Sequence, residues 1–96
     1  MIEITPEIIQ KSLDNATDEQ IDYVLDIDQK NSVSSLAETA NNFDLRPDEI
    51  RIVNENIKYL VLRIRSLSDT MDTILDACAS GEQALYTYIQ YLFFDM

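Results

Sequence analysis

The feature that most constrains the fold of this sequence is a run of apolar residues separated alternately by three and four positions. The run comprises nine residues: Ile50, Val53, Ile57, Leu60, Ile64, Leu67, Met71, Ile74 and Cys78. Because an α-helix turns once in about 3.6 residues, this spacing places the whole run along one side of a helix. The pattern predicts one helix from about Pro47 to Ala79, roughly 50 Å long at about 1.5 Å per residue.

A helix of that length exceeds the diameter of a compact domain of this mass, so it should pack along a second copy of the chain. The isoleucines among these nine residues favour a coiled-coil-like homodimer in which the run is the dimer interface. Val61 and Leu75 widen the apolar stripe, and the wider stripe fits a helical bundle better than a bare coiled coil. A second possibility stays open, because the side chains from Ser66 to Asp69 compete for backbone hydrogen bonds and could break the helix into a hairpin.

Capping signals predict short helices before this segment. Thr5 and Pro6 are typical of a helix start, and this first helix should end near Asn15. The spacing from Thr17 to Gln20 is that of a capping box and begins a second helix that runs to about Lys30. A similar spacing from Ser35 to Glu38 predicts a short third helix, followed by a turn over Asp44, Leu45 and Arg46 that ends before Pro47.

The end of the chain forms one more predicted helix. Gly81 is the only glycine, and Ser80 and Gly81 mark a joint before a helix from Glu82 to about Asp95. This helix carries five of the eight aromatic residues and is apolar nearly all round. The sequence therefore predicts a single all-α domain of four to five helices with one long central helix. Residues 1–45 form acidic short helices, 46–80 the long heptad-patterned helix and 81–96 the aromatic C-terminal helix.

Charge is the second strong constraint. The chain has 18 acidic and 7 basic residues, a formal net charge of −11. Nucleic acids and anionic membranes attract proteins through Lys and Arg, so neither is expected as the direct ligand. Five of the bases fall within residues 46–65, between two acidic segments. The expected partner is a protein with a basic surface.

Two sets of residues are candidates for contact with that partner. The first is an acidic row that recurs every four residues, which on a helix places carboxylates about 6 Å apart. The second is a pair of aromatic residues outside the main apolar face of the C-terminal helix. The acidic row is Asp14, Asp18, Asp22 and Asp26, and the aromatic pair is Tyr86 and Phe93.

The residue types that are missing argue against catalysis. The chain has no histidine and only one cysteine, so it lacks Ser–His and Cys–His pairs, and its lone glycine cannot build a phosphate-binding loop. No catalytic, cofactor-binding or metal-binding residue is predicted. Residues 26–33 resemble the start of a calcium-binding loop, but Lys30 stands where an oxygen ligand is needed. The single cysteine, the lack of a secretion signal and the absence of a long apolar run predict a cytoplasmic protein.

These observations predict a non-catalytic interaction module that acts as an inhibitor, adaptor or chaperone-like regulator. An alternative is a nucleic-acid mimic, in which the acidic row and a second row of Asp69, Asp72 and Asp76 would form one continuous surface that imitates phosphates. Residues 36–53 also fit a helix-turn-helix, but the second helix of that motif begins with Asp48 and Glu49, which phosphates repel. A DNA-binding regulator is therefore the weakest of the three interpretations.

Overall fold

A computed structural model describes residues 3–94, and these form six α-helices. They are α1 (Pro6–Asp14), α2 (Asp18–Gln29), α3 (Val33–Phe43), α4 (Pro47–Val61), α5 (Leu67–Ala77) and α6 (Glu82–Phe94). The all-α prediction is confirmed. The expected number of four to five helices is wrong, because the predicted long helix is divided into α4 and α5. The predicted end of the last helix at Asp95 lies outside the described residues.

The helix starts follow the capping chemistry of the sequence. The Thr17 hydroxyl accepts from the Gln20 amide at 3.2 Å, and the Gln20 side chain accepts from the Thr17 amide at 2.8 Å, which completes the predicted capping box. The predicted start of α3 at Ser35 is wrong, because the Ser32 hydroxyl already caps the helix by accepting from the Ser35 amide. Asp44 ends α3 in the left-handed conformation, with φ 57°, at the predicted turn.

The prediction of one continuous helix over residues 47–79 is wrong, and the hairpin alternative is confirmed. Helix α4 ends at Val61, Arg63 takes a left-handed conformation with φ 61°, and Ser66 caps the start of α5. The Ser66 hydroxyl accepts from the Asp69 amide at 3.1 Å, so a cap replaces the continuation of the helix. The apolar spacing survives the break because both arms of the hairpin face the same core.

Most of the predicted dimer interface lies in or against the core of the single chain. Ile50, Val53, Ile57 and Ile74 have no exposed surface, so they have none to offer a second copy. Three further residues of the run, Leu60, Met71 and Cys78, are partly buried against the same core. Ile64 is half-buried in the turn, and Leu67 is 58% exposed. The homodimer stays a prediction, and its interface would have to use surfaces other than the four buried residues.

Helix α4 is the centre of the fold, with α2 and α5 antiparallel to it on opposite sides. On the α2 side, the Gln20 side chain donates to the Val61 carbonyl at 2.9 Å, and Lys58 pairs with Asp28. On the α5 side, Glu49 binds Ser80 just beyond the end of α5. At about 100° per residue, Lys58 lies roughly 180° around α4 from Glu49, and Val61 about 120° from it.

Helix α6 closes the core with four buried side chains, Leu85, Tyr88, Ile89 and Leu92. The radius of gyration is 13.1 Å, close to the ~12.5 Å expected for a compact chain of this length. The longest dimension is 35 Å, shorter than the predicted single helix would have been. Among residues 3–94 there is no helix with the length and apolar character needed to cross a membrane.

Candidate functional site

One side of α2 forms an exposed acidic surface. It comprises Asp18, Asp22, Leu25, Asp26 and Gln29, here called the acidic face. These five residues fall within about 100° of the helix circumference. Val24 and Ile27 point the other way and are buried against the rest of the chain. Leu25 is 54% exposed at one edge of this face, beside Asp18 and Asp22.

The acidic face keeps most of its charge. Asp26 pairs with Lys30 at 3.6 Å, whereas Asp18 and Asp22 make no ion pair with any residue from 3 to 94. Lys58 instead binds Asp28 and Glu55, neither of which belongs to the face. Burial lowers the pKa of Lys58, but its bonds to these two carboxylates outweigh that effect and leave the pKa raised. Lys58, which contacts α2 through Asp28, is therefore already engaged in ion pairs within the chain.

The predicted row of four aspartates is not a single helical row. Asp14 ends α1, and the turn over residues 15–17 separates it from α2, so the helical spacing holds only for Asp18, Asp22 and Asp26. Asp14 is exposed and accepts a hydrogen bond from the Gln10 side chain at 2.9 Å. It lies beside the beginning of the acidic face, but it does not extend the row.

The second row, Asp69, Asp72 and Asp76, is exposed along α5. Helices α2 and α5 each pack against α4 and make few or no contacts with each other, so the two rows lie on helices that are not close neighbours. They do not form the single continuous surface that nucleic-acid mimicry was expected to need. The acidic face of α2 and the row on α5 are therefore two separate surfaces.

The aromatic pair on α6 is less exposed than the sequence predicted. Tyr86 is 39% and Phe93 38% exposed, and both lie at the edge of the outward side of the helix. The middle of that side is occupied by Gln83, Thr87 and Gln90, which are uncharged and polar. Helix α6 is therefore not apolar nearly all round as expected, but Tyr86, Tyr91 and Phe93 are partly exposed, and a cover for them from outside the chain stays a prediction.

A buried chain of hydrogen bonds links α6 to the surface and was missed by sequence reasoning. The Tyr88 hydroxyl donates to Asn54, Asn54 donates to Asn31 at 2.8 Å, and Asn31 donates to Glu55 at 3.3 Å. Glu55 then pairs with Lys58 at 3.0 Å. Burial raises the pKa of Tyr88 and its bond to Asn54 offsets only part of the change, so the hydroxyl stays protonated and acts as a donor. The burial of Asn54 could not be predicted from the sequence, because asparagine is usually exposed.

Glu49 is the second buried polar group that the sequence did not reveal. It is 1% exposed, and its carboxylate accepts from the backbone amide and hydroxyl of Ser80 and from the Arg46 amide at 3.0 Å. Burial raises its pKa, but the bonds from Ser80 and Arg46 together outweigh this and lower it. Its position three residues after the N-cap Arg46 is the sequence signal that could have predicted its bond to the Arg46 amide.

The remaining sequence motifs lie in the turn before α4, at the end of α2 and at the end of α5. Residues 44–46 join α3 to α4 at the predicted turn, and Asp48 is exposed at the start of α4 whereas Glu49 is buried. Residues 26–29 are helical and do not form a calcium loop. In the described part of the chain there is no group of three acidic, cysteine or histidine side chains placed to hold a metal. Burial and the nearby Glu49 and Asp48 raise the pKa of the Cys78 thiol, which disfavours a reactive thiolate.

No protein-family model, curated protein or solved structure matches this chain. The functional argument therefore rests on the geometry of the surfaces. The acidic face combines the exposed Leu25 with two carboxylates, Asp18 and Asp22, that make no ion pair with residues 3–94. An exposed apolar side chain beside exposed carboxylates can bind another macromolecule.

Proposed function

We propose that this protein is a non-catalytic interaction module of the cytoplasm that inhibits, recruits or chaperones a protein partner with a basic surface. The observation that carries the proposal is the acidic face of α2. There, Leu25 is exposed among Asp18, Asp22 and Asp26, and two of these carboxylates have no cation among residues 3–94. An apolar contact surrounded by charged groups is the usual arrangement of a protein interface.

The two components of the face would contribute differently to binding. Covering the exposed part of Leu25 supplies an apolar contribution of about 1 kcal/mol. The carboxylates attract Lys and Arg side chains around an apolar pocket on the partner and accelerate encounter, and this effect weakens as salt increases. A partner that fits therefore carries a shallow apolar pocket with basic residues at its border.

The proposal is tested by affinity capture from a lysate of the cells in which the protein occurs. The variant Asp18→Lys, Asp22→Lys, Asp26→Lys should lose a partner that the unaltered protein retains. The matched control reverses the row on α5, Asp69→Lys, Asp72→Lys, Asp76→Lys, which changes net charge by the same amount. Capture that survives the first variant and fails with the control would reject the acidic face.

Two further variants separate the alternative interpretations. If Tyr86→Ala with Phe93→Ala abolishes capture while the reversal on α2 does not, the docking site is on α6. Capture of a nucleic-acid-binding protein that is equally sensitive to both charge reversals, and that duplex DNA or RNA displaces, would support nucleic-acid mimicry instead. The proposed module predicts loss only with the α2 reversal and with Leu25→Ala.

A further inference from the structure

A groove of about 730 Å³ lies on a different side of α2 from the acidic face. The end of α1, the first turns of α2 and the turn after α4 enclose it. The residues that line it include Lys11, Ala16, Glu19, Tyr23, Leu62 and Arg63. Its volume is within the range of small-molecule sites, which lies at about 300–1,000 Å³.

Hydrogen bonds between distant parts of the chain fix the walls of this groove. The Gln20 side chain donates to the Val61 carbonyl at 2.9 Å and accepts from the Thr17 amide at 2.8 Å, which holds α2 against the end of α4. The Tyr23 hydroxyl donates to the Leu92 carbonyl at 3.0 Å. The groove is thus formed before any ligand arrives, which reduces the entropy lost on binding.

The groove is locally basic in a strongly acidic protein. It is lined by Lys11 and Arg63, two of the chain's seven bases, and neither makes an ion pair with another described residue. Most of the other bases are engaged within the chain; for example, Lys58 binds two carboxylates and Arg65 binds Asn56 at 2.7 Å. Glu19 is the only acidic residue in the lining. The residues that line the groove therefore carry a formal charge of +1, and Asp14 and Asp18 are their neighbours in the chain.

Arg63 also has an unusual backbone. Its φ of 61° lies in the left-handed region, which glycine adopts without strain and a residue with a side chain adopts at a cost. This conformation ends α4, because the Ile64 amide donates to the Tyr59 carbonyl at 2.9 Å and the Arg63 amide to the Leu60 carbonyl at 3.0 Å, a common arrangement at helix ends. At this position the strained turn carries a cation to the edge of the groove, where glycine would carry none.

We propose that this groove binds a small carboxylate with an apolar chain. The carboxylate oxygens pair with the guanidinium of Arg63 and the ammonium of Lys11, because an arginine fork matches a carboxylate in geometry. The apolar chain lies against Ala16, Val61 and Leu62, which are the apolar side chains of the lining. This site is independent of the proposed protein interface, since it uses other residues of α2.

The test is a titration of isotope-labelled protein with sodium hexanoate, followed by amide chemical shifts at about 0.15 M salt, where the Debye length is about 8 Å. We expect saturable shifts at groove residues such as Thr17 and Arg63 in the millimolar range. Hexanamide, which has the same chain without the charge, should produce none. Equal shifts with hexanamide would overturn the proposal, as would shifts caused by inorganic phosphate at lower concentration than hexanoate.

Four single variants locate the site. Lys11→Gln and Arg63→Gln should each weaken hexanoate binding about threefold to fivefold, the value of a partly exposed ion pair. Glu19→Gln should tighten it, because a repelling carboxylate is removed. Arg51→Gln is the matched control, since Arg51 is exposed on α4 and its loss changes net charge equally. Equal weakening by Arg51→Gln would show a long-range charge effect and overturn the assignment of the groove.

Discussion

Helices α4 and α2 both carry polar side chains, but those of α4 compared here are buried whereas those of α2 are exposed. In α4, Glu49, Asn54 and Asn56 are buried and bonded to other parts of the chain. In α2, Asp18 and Asp22 are exposed and make no internal ion pair among residues 3–94. The comparison teaches that polar residues on a helix of this protein either determine how the helices fit together or remain available to another molecule.

The physical reason is desolvation. A buried polar group without a partner costs about 1–3 kcal/mol, so each polar residue of α4 needs a matched group in a defined position. An exposed carboxylate keeps its water and needs no such match. Changes in α4 should therefore alter stability, whereas changes in α2 should alter binding. The following predictions test this division from the largest expected effect to the smallest.

The largest effect is expected for Ile57→Asp in α4. The side chain of Ile57 has no exposed surface, so the variant would bury an unpaired charge and should lose about 4 kcal/mol or more of unfolding free energy. Ile64→Asp, at the half-buried turn, should lose about 1 kcal/mol. Urea unfolding monitored by circular dichroism measures both. Equal losses of unfolding free energy in Ile57→Asp and Ile64→Asp would contradict the buried position of Ile57. Sedimentation of the unaltered protein is a separate measurement that tests the predicted homodimer.

Glu49→Gln should lower the free energy of unfolding by about 2–3 kcal/mol. One carboxylate oxygen accepts from the Arg46 amide and the Ser80 hydroxyl and the other from the Ser80 amide, whereas glutamine replaces one of these two acceptors with a donor. The exposed neighbour Asp48→Asn is the control and should change it by less than about 0.5 kcal/mol.

Glu49 also predicts a dependence on pH. Its folded-state pKa is below the usual 4.5, so the stability it supplies is complete above pH 4.5 and is lost as the pH falls through the lower folded-state value. Thermal unfolding between pH 7 and pH 3 should show a steeper loss for the unaltered protein than for Glu49→Gln. Parallel curves for the two proteins would contradict this role of the carboxylate.

Tyr88→Phe should cost about 1–2 kcal/mol, because it leaves the buried Asn54 oxygen without its donor. Combining it with Asn54→Leu should give a total smaller than the sum of the two single effects, since both remove the same bond. Tyr91→Phe is a matched control on a ring that is 44% exposed. Strictly additive losses in chemical denaturation would show that the Tyr88 and Asn54 side chains do not interact.

The smallest effect on stability is expected for Leu25→Ala in α2. Because this side chain is 54% exposed, its truncation should change the unfolding free energy by less than about 0.5 kcal/mol while weakening capture of the partner. Val24→Ala, the buried neighbour, should cost about 1–2 kcal/mol and leave capture by the folded protein unchanged. A large loss of stability with Leu25→Ala would contradict the division between α4 and α2.

The sequence by itself determined the local features of this protein. Thr5, Thr17 and Pro47 marked helix starts correctly, and Gly81 marked the joint before α6. These signals act over about four residues, through side chains that bond to nearby backbone groups, so they can be read without knowledge of the fold. The exposure of the acidic residues of α2 could also be predicted from the sequence, because their helical spacing places them away from the apolar stripe.

Only the tertiary structure decided which sides of the helices pack against each other. The apolar spacing over residues 50–78 fits a continuous helix and a hairpin equally well, and only the shared core selects the hairpin. The burial of Glu49 depends on Ser80, 31 positions away, and the groove beside α2 depends on a bond from Gln20 to Val61, 41 positions away. Contacts between residues so distant in the chain cannot be read from the spacing of residues in the sequence. The energy of a buried polar group depends on its partner, and only the fold decides which partner that is.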